Sequence, residues 1–170
     1  MEIRLRTDAD MPALLAALKA THEVDTYPVL PNHVTKEWLL EGDDGMAWVA
    51  EHDGDVVGHI AVATTEEDPD SLSVHRLFVR PGARGQGVAS ALLTTVETYS
   101  KVLGQDLFLE VLSHNVEAIR LYESRGWKRV GGYVAVWTGP EGTHPDINIY
   151  ASPHNDASHV LDVGAGRPTE

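Results

Sequence analysis

Residues 79–93, VRPGARGQGVASALL, combine residue types that suit the binding of an anion. Three glycines, Gly82, Gly85 and Gly87, lie within six residues, and Arg84 stands between them. Glycine has no side chain, so the backbone here can adopt torsion angles that other residues avoid and can lie directly against a ligand. A guanidinium can grip a phosphate with two hydrogen bonds at once. The arginine therefore indicates that the ligand is negative.

The same segment lies where an apolar strand gives way to a helix. The first amides of a helix have no intrahelical partner, and the helix dipole adds partial positive charge there. Without side chains at Gly85 and Gly87, an anion can approach those amides directly. The segment thus predicts an anion site at a helix start. The alternative is a solvated turn that precedes an amphipathic helix.

The spacing of the glycines narrows the choice of anion. A nucleoside-triphosphate loop needs a lysine after its last glycine, and none is present. The dinucleotide fingerprint is closer, since Gly85-x-Gly87-x-x-Ser90 nearly fits and Glu110 follows at a suitable distance. However, the third position is serine, the segment follows half of the chain, and few parallel units remain. A dinucleotide site is therefore disfavoured.

Composition and charge exclude several classes of protein. The 170 residues are 42% hydrophobic and 23% charged, which fits one globular domain. The net charge of −13 disfavours nucleic acid as a partner. Yet residues 71–96 contain three arginines and none of the 26 acidic residues. Without cysteine, thiolate chemistry is excluded, and the nine histidines show no ligand spacing, so no metal site is predicted.

Periodicity predicts eleven elements in the order β-α-α-β-β-β-α-β-α-β-β. The predicted strands are 2–6, 46–51, 55–64, 72–79, 105–113 and a final pair within 127–151, and the helices are about 8–20, 33–42, 89–101 and 115–125. We expect one domain over residues 1–151 and a mobile tail over 152–170, where periodicity fades. No apolar run reaches membrane-spanning length and no signal peptide is evident, so a soluble, cytoplasmic protein without a membrane partner is expected.

Two blocks resemble a known family. Arg84-x-x-Gly87-x-Ala89, preceded by L-F-V-R-P, resembles the acetyl-CoA motif of the GNAT superfamily of N-acetyltransferases. Residues 113–132, SHNVEAIRLYESRGWKRVGG, look like that family's following block, with an Asn, an Ala, a Leu-Tyr-Glu run and a Gly beside an aromatic residue. The order of elements matches the family over residues 2–151.

The resemblance implies a fold and a cosubstrate. The fold is α/β (mixed α+β), with a mostly antiparallel sheet of about seven strands, four flanking helices, and strands 72–79 and 105–113 splayed apart. The cosubstrate is acetyl-CoA, and no metal is implied. Its pantetheine arm would pair with the backbone of Leu77, Phe78 and Val79. Its pyrophosphate would meet the backbone amides of Arg84, Gly85, Gln86, Gly87, Val88 and Ala89. Asn115, a favoured helix cap, would also contact it.

The chemistry implied is direct attack of an amine on the thioester. Tyr122 matches the position of the family's general acid, and a phenol stays protonated at neutral pH. Its spacing on the predicted helix also fits a core aromatic. Family members often carry glutamate where this chain has His75. That imidazole is either the general base or a partly buried, satisfied histidine. Glu51, His59 and Glu110 are substitutes for it, and ordered water is a further alternative.

The resemblance further implies that the loop between the first two helices and the last strands select the acceptor. Tyr27, Glu51, Glu110 and Trp137 supply aromatic and acidic groups suited to a cationic amine, although the tryptophan also fits a core or dimer contact. The predicted function is acetyl transfer to a primary amine of a small molecule or a peptide. The rival is a non-catalytic acyl-CoA sensor, favoured by the departure at His75. The resemblance also implies a possible homodimer, because the exposed last strands of this fold often pair across a dimer.

Overall fold

The computed structural model describes residues 1–41, 46–65 and 67–156. The strands are β1 (Glu2–Leu5), β2 (Met46–His52), β3 (Asp55–Thr64), β4 (Ser71–Val79), β5 (Asp106–Leu112), β6 (Lys128–Val134) and β7 (Asp146–Ala151). The helices are α1 (Met11–Asp25), α2 (Lys36–Leu40), α3 (Val88–Leu103) and α4 (Val116–Ser124). The seven strands form a sheet of order β1-β2-β3-β4-β5-β7-β6, mostly antiparallel. The predicted mixed α/β fold is confirmed.

The chain divides into two compact units. The first comprises Met1–Ala63 and Val74–Thr98, and the second comprises Thr64–Ser73 and the chain from Tyr99 onward. The core of the first unit joins α1, α2 and the strands β2 and β4, with Leu14, Leu18 and Val49 fully buried. In the second unit, Leu107 and Trp127 are among the most buried side chains.

Helix α1 is longer than its sequence pattern predicts. It continues to Asp25 instead of ending near Ala20. The hydroxyl of Thr21 donates to the carbonyl of Ala17 at 2.7 Å inside the helix. The end comes at Thr26, which adopts a left-handed conformation (φ +57°) and donates its amide to the carbonyl of His22. Because left-handed caps usually carry glycine, threonine gave no signal for this boundary.

The hairpin that joins β2 and β3 follows its local sequence. Asp53 and Gly54 both have positive φ, at +52° and +84°. An Asp-Gly pair favours the tight turn in which both central residues have positive φ, and this turn suits the twist of the strands. The predicted hairpin is confirmed.

The residues that follow β7 pack against β5. The amide of Ser152 and the side-chain nitrogen of Asn155 both donate to the carbonyl of Leu107, at 3.0 and 2.9 Å. The amide of Leu107 donates back to Asn155 Oδ1 at 2.8 Å. The packed chain therefore extends five residues beyond the boundary predicted at Ser152, because side-chain hydrogen bonds replace the missing apolar pattern. Residues 157–170 of the predicted tail lie outside the described residues.

Candidate functional site

The glycine turn before α3 is open to solvent. Gly85 and Gly87 have φ of +74° and +78°, a region that residues with side chains rarely adopt. A Cβ atom built at either position would have no heavy atom of the described residues within 4 Å, apart from those of the glycine itself and of its two chain neighbours. The glycines are thus required by the backbone conformation and not by crowding, and the surface beside them has room for a ligand.

Several amides at this turn have no helical partner. The amide of Ala91 makes the first hydrogen bond of α3, to the carbonyl of Gly87 at 3.0 Å. The amides of Val88, Ala89 and Ser90 precede it and have no carbonyl one turn earlier in the helix. Together with the dipole of this sixteen-residue helix, they favour a negative group. The turn therefore has the local geometry of an anion site.

Arg84 is held by other protein groups. Its guanidinium forms an ion pair with the carboxylate of Asp25, at the end of α1. Its Nε and Nη2 atoms also lie 3.4 Å from the carbonyl oxygen of Val79. Both members of the ion pair are about one third exposed. A phosphate that recruits this guanidinium must therefore compete with Asp25.

Strand β4 ends directly before the turn. Phe78 and Val79 are buried, whereas His75, Arg76 and Leu77 are half-buried. Arg76 adopts a left-handed conformation (φ +53°) inside the strand. Sequence reasoning missed this irregularity, since arginine gives no signal for positive φ.

The candidate bases of the first unit differ in their surroundings. His75 is half-buried on β4. Glu51 accepts a hydrogen bond from Arg4 Nε at 3.0 Å. His59 is fully buried, and both of its ring nitrogens have partners, Arg6 Nη1 at 3.0 Å and the carbonyl of Arg76 at 2.8 Å. The contacts of Glu51 and His59 therefore limit both as substitutes for the base, and the assignment of His75 stays a prediction.

Tyr122 and Asn115 lie on α4 in the second unit. Asn115 is the helix cap, and its Oδ1 accepts from the amide of Ala118 at 3.3 Å, which confirms the predicted cap. Tyr122 is 8% exposed, with its ring centroid 6.2 Å from that of Trp127 and 6.4 Å from that of Tyr150. Tyr122 is thus largely buried in an aromatic cluster.

Two tyrosines of this unit, Tyr133 and Tyr150, form hydrogen bonds with glutamate side chains. The hydroxyl of Tyr150 donates to Glu123 at 2.9 Å, and the hydroxyl of Tyr133 donates to Glu110 at 2.8 Å. Burial, and then the hydrogen bond to Glu123, raises the pKa of Tyr150 above its ordinary value. Both phenols therefore act as donors to carboxylates.

The residues predicted to select the acceptor differ in their burial and in their contacts. Tyr27 packs edge-on against Trp38, with ring centroids 5.9 Å apart. Burial raises the pKa of Tyr27 to about 12, although the positive charge of Arg76 acts to lower it. Trp137 is half-buried, and its carbonyl accepts from His144 Nδ1 at 3.0 Å. Tyr27 belongs to the first unit and Trp137 to the second.

Two features are absent from the described part of the chain. No group of three or more His, Cys, Asp or Glu side chains in residues 1–41, 46–65 and 67–156 is arranged to hold a metal ion. Within the same ranges, no helix has the length and apolar character needed to cross a membrane.

The sequence is similar to those of known N-acetyltransferases. The chain is 34% identical to the N-acetyltransferase 8B of Rattus norvegicus over 104 residues, which are 59% of this chain and 46% of that protein. It spans about half the length of the curated relatives it matches.

Two solved structures are similar in fold. One is a ribosomal-protein-alanine N-acetyltransferase from Brucella melitensis, with a TM-score of 0.75, 24% identity, and coverage of 89% of this chain and 99% of that one. The other is yncA of Salmonella typhimurium with its cofactor acetyl-CoA, with a TM-score of 0.71, 18% identity, and coverage of 95% and 98%. The model of the acetyltransferase (GNAT) family matches residues 11–127. The chain therefore belongs to the acetyltransferase (GNAT) family.

Proposed function

We propose that this chain transfers an acetyl group from acetyl-CoA to a primary amine. The observation that carries the proposal is the glycine turn at the start of α3, where Gly85 and Gly87 adopt a backbone conformation that only glycine adopts easily and leave the space beside them open. The diphosphate of coenzyme A suits such a site. Membership of the family supports the choice of this anion.

The residues present fit the cosubstrate. The backbone amides of residues 85–89 would hold the diphosphate, because no side chain fills the space beside Gly85 and Gly87. The amide of Arg84, which the sequence placed in the same set, instead donates to the carbonyl of Pro81 at 3.3 Å. The backbone of residues 77–79 would pair with the pantetheine arm, and Asn115 would contact the cosubstrate from the cap of α4. When bound, acetyl-CoA supplies an acetyl group activated as a thioester.

Two protons move during the proposed transfer. A carbon–nitrogen bond forms between the acetyl group and the amine, and the carbon–sulfur bond breaks. Tyr122 would donate a proton to the departing thiolate, and His75 would accept a proton from the amine, directly or through water. An imidazole can do so at neutral pH, which makes His75 a workable replacement for the family's usual glutamate.

The test is amine-dependent release of thiol from acetyl-CoA. We expect Tyr122→Phe to lower kcat by about 100-fold while the acetyl-CoA dissociation constant stays within about twofold. Tyr150→Phe is the matched control, because it removes a hydroxyl from the same aromatic cluster. If Tyr122→Phe and His75→Ala each leave turnover within a few fold of wild type, both assignments fail. A protein that binds acetyl-CoA but acetylates no amine is instead an acyl-CoA sensor.

The acceptor is a small or peptide amine. The Brucella neighbour is named for acetylation of an alanine of a ribosomal protein, so peptides with N-terminal alanine belong in the amine panel. The net charge of −13 favours cationic acceptors through electrostatic steering. Within the amine panel, we therefore expect the positively charged acceptors to have the lowest KM.

We also propose a homodimer formed through β6. Among the strands of the described residues, β6 lies at the edge of the sheet and pairs with β7 alone. It carries Val130 and Val134, which are 49% and 57% exposed. An unpaired edge with exposed valines favours pairing with a second strand. Light scattering in solution should give twice the monomer mass. The cytoplasmic location stays a prediction, which cell fractionation tests.

A further inference from the structure

The strained position in β4 lies directly before the segment proposed to hold the cosubstrate. Arg76 has φ of +53° in the interior of the strand, a conformation that is costly for a residue with a long side chain. Such a conformation persists only where neighbouring groups fix it. The contacts of Arg76 therefore set the course of the backbone into Leu77.

The side chain of Arg76 is fixed by Trp38. The guanidinium carbon lies 3.8 Å from the centroid of the indole ring, and Nε donates to the carbonyl of Trp38 at 3.1 Å. Only 9% of the side chain is exposed, so this cation–π contact is largely shielded from water.

The backbone of Arg76 is fixed by His59. The carbonyl of Arg76 lies 2.8 Å from His59 Nδ1. The imidazole is fully buried on β3 and stacks on Phe78, with ring centroids 5.4 Å apart and planes at 21°. The ring is thereby held in one orientation between two strands.

Arg6 decides which nitrogen of His59 carries the proton. Arg6 Nη1 lies 3.0 Å from His59 Nε2. A guanidinium has donors and no acceptor, so Nε2 must accept this hydrogen bond. The proton is then on Nδ1, where it is donated to the carbonyl of Arg76. The lone pair of Nε2 is occupied, and it is not available to take a proton from a substrate.

We propose that His59 is a positioning residue and not the general base. The contacts Arg6–His59–Arg76, with His59 neutral and protonated on Nδ1, hold the left-handed turn of β4 that aligns Leu77–Val79 for acetyl-CoA. The proposal rests on the proposed function in that the ligand of this segment is taken to be acetyl-CoA.

The experiment compares two substitutions of one side chain. His59→Leu removes the donor, whereas the amide nitrogen of His59→Asn is as many bonds from Cα as Nδ1 and keeps it. We expect His59→Leu to raise the acetyl-CoA dissociation constant and KM about tenfold with kcat within about threefold. We expect His59→Asn to recover most of that loss. Ile60→Val, a change at a fully buried neighbour on β3, is the control for lost packing alone.

A spectroscopic measurement on the wild-type protein does not depend on any variant folding. Nitrogen NMR of ¹⁵N-histidine-labelled protein should show that Nδ1 of His59 is protonated and that Nε2 is unprotonated. A proton on Nε2, or a charged ring at neutral pH, would overturn the proposal.

Binding separates this proposal from the proposed function. If the wild type binds acetyl-CoA and His59→Leu binds it equally well, only the positioning role fails. If His59→Asn binds acetyl-CoA as weakly as His59→Leu does, the hydrogen-bond donor at position 59 does not determine the affinity, and the positioning role of His59 also fails. If the wild type binds no acetyl-CoA, the proposed function fails, and the positioning role fails with it.

Discussion

Replacing Asp25 with asparagine should tighten the binding of acetyl-CoA, because Asp25 competes with the diphosphate for Arg84. The guanidinium of Arg84 forms an ion pair with this carboxylate at the end of α1. Asparagine keeps the shape of the side chain and removes its charge. Arg84 is then free to turn toward the glycine turn, and one negative charge near the phosphates is lost.

The exposure of the pair sets the size of the effect. The side chains of Arg84 and Asp25 are 36% and 38% exposed, so water and salt weaken their attraction. Ion pairs of this kind contribute about 0.2–1 kcal/mol. Releasing that energy corresponds to roughly a 1.4- to 5-fold lower dissociation constant. The gain should shrink at high salt, where the wild-type pair is already weakened.

Titration calorimetry with acetyl-CoA at low and high salt measures this change. Glu23→Gln is the matched control, since this exposed residue of α1 carries the same charge two positions earlier. In an Arg84→Gln background, Asp25→Asn should give no gain beyond that control. If Asp25→Asn binds no more tightly than Glu23→Gln, the competition does not exist. If it binds more weakly, Asp25 aims Arg84 at the ligand.

Two further perturbations test the turn and the fold. Gly87→Ala should weaken acetyl-CoA binding by about tenfold, because a residue with a Cβ is strained at φ +78°. Gly82→Ala, which also lies in open space but lacks a positive φ, should bind acetyl-CoA as the wild type does. Equal affinities of the two variants would contradict the role of the backbone conformation. The hydrogen bond from Arg4 lowers the pKa of the Asp10 carboxyl to about 2 from 3.8, so its stabilisation is present above pH 3.8 and is lost as the pH falls through about 2. Asp10→Asn should therefore lower the free energy of unfolding by about 2 kcal/mol at pH 7. In urea titrations the difference in unfolding free energy between this variant and the wild type should shrink toward pH 2, and Asp8→Asn, at an exposed position, is the control. A difference that does not change with pH would contradict this assignment.

Features with a local cause were predictable from the sequence. The Asp53–Gly54 hairpin, the cap at Asn115 and the glycine turn before α3 depend on the torsion angles or side-chain reach of a few adjacent residues. The same short-range patterns carried the resemblance to the family, because its motifs lie in those segments. The order of strands and helices followed from periodicity for the same reason.

Features with a distant cause depended on the tertiary structure. His59 was a plausible base by position, but its two ring nitrogens meet Arg6, 53 residues away, and the carbonyl of Arg76, 17 residues away. The ion pair of Asp25 with Arg84 and the packing of Ser152–Asp156 on β5 likewise join residues far apart in the chain. Periodicity and spacing describe neighbours along the chain. Which charged or polar group a side chain meets across the fold, and therefore what chemistry it is left free to do, was decided only by the packing of the strands and helices.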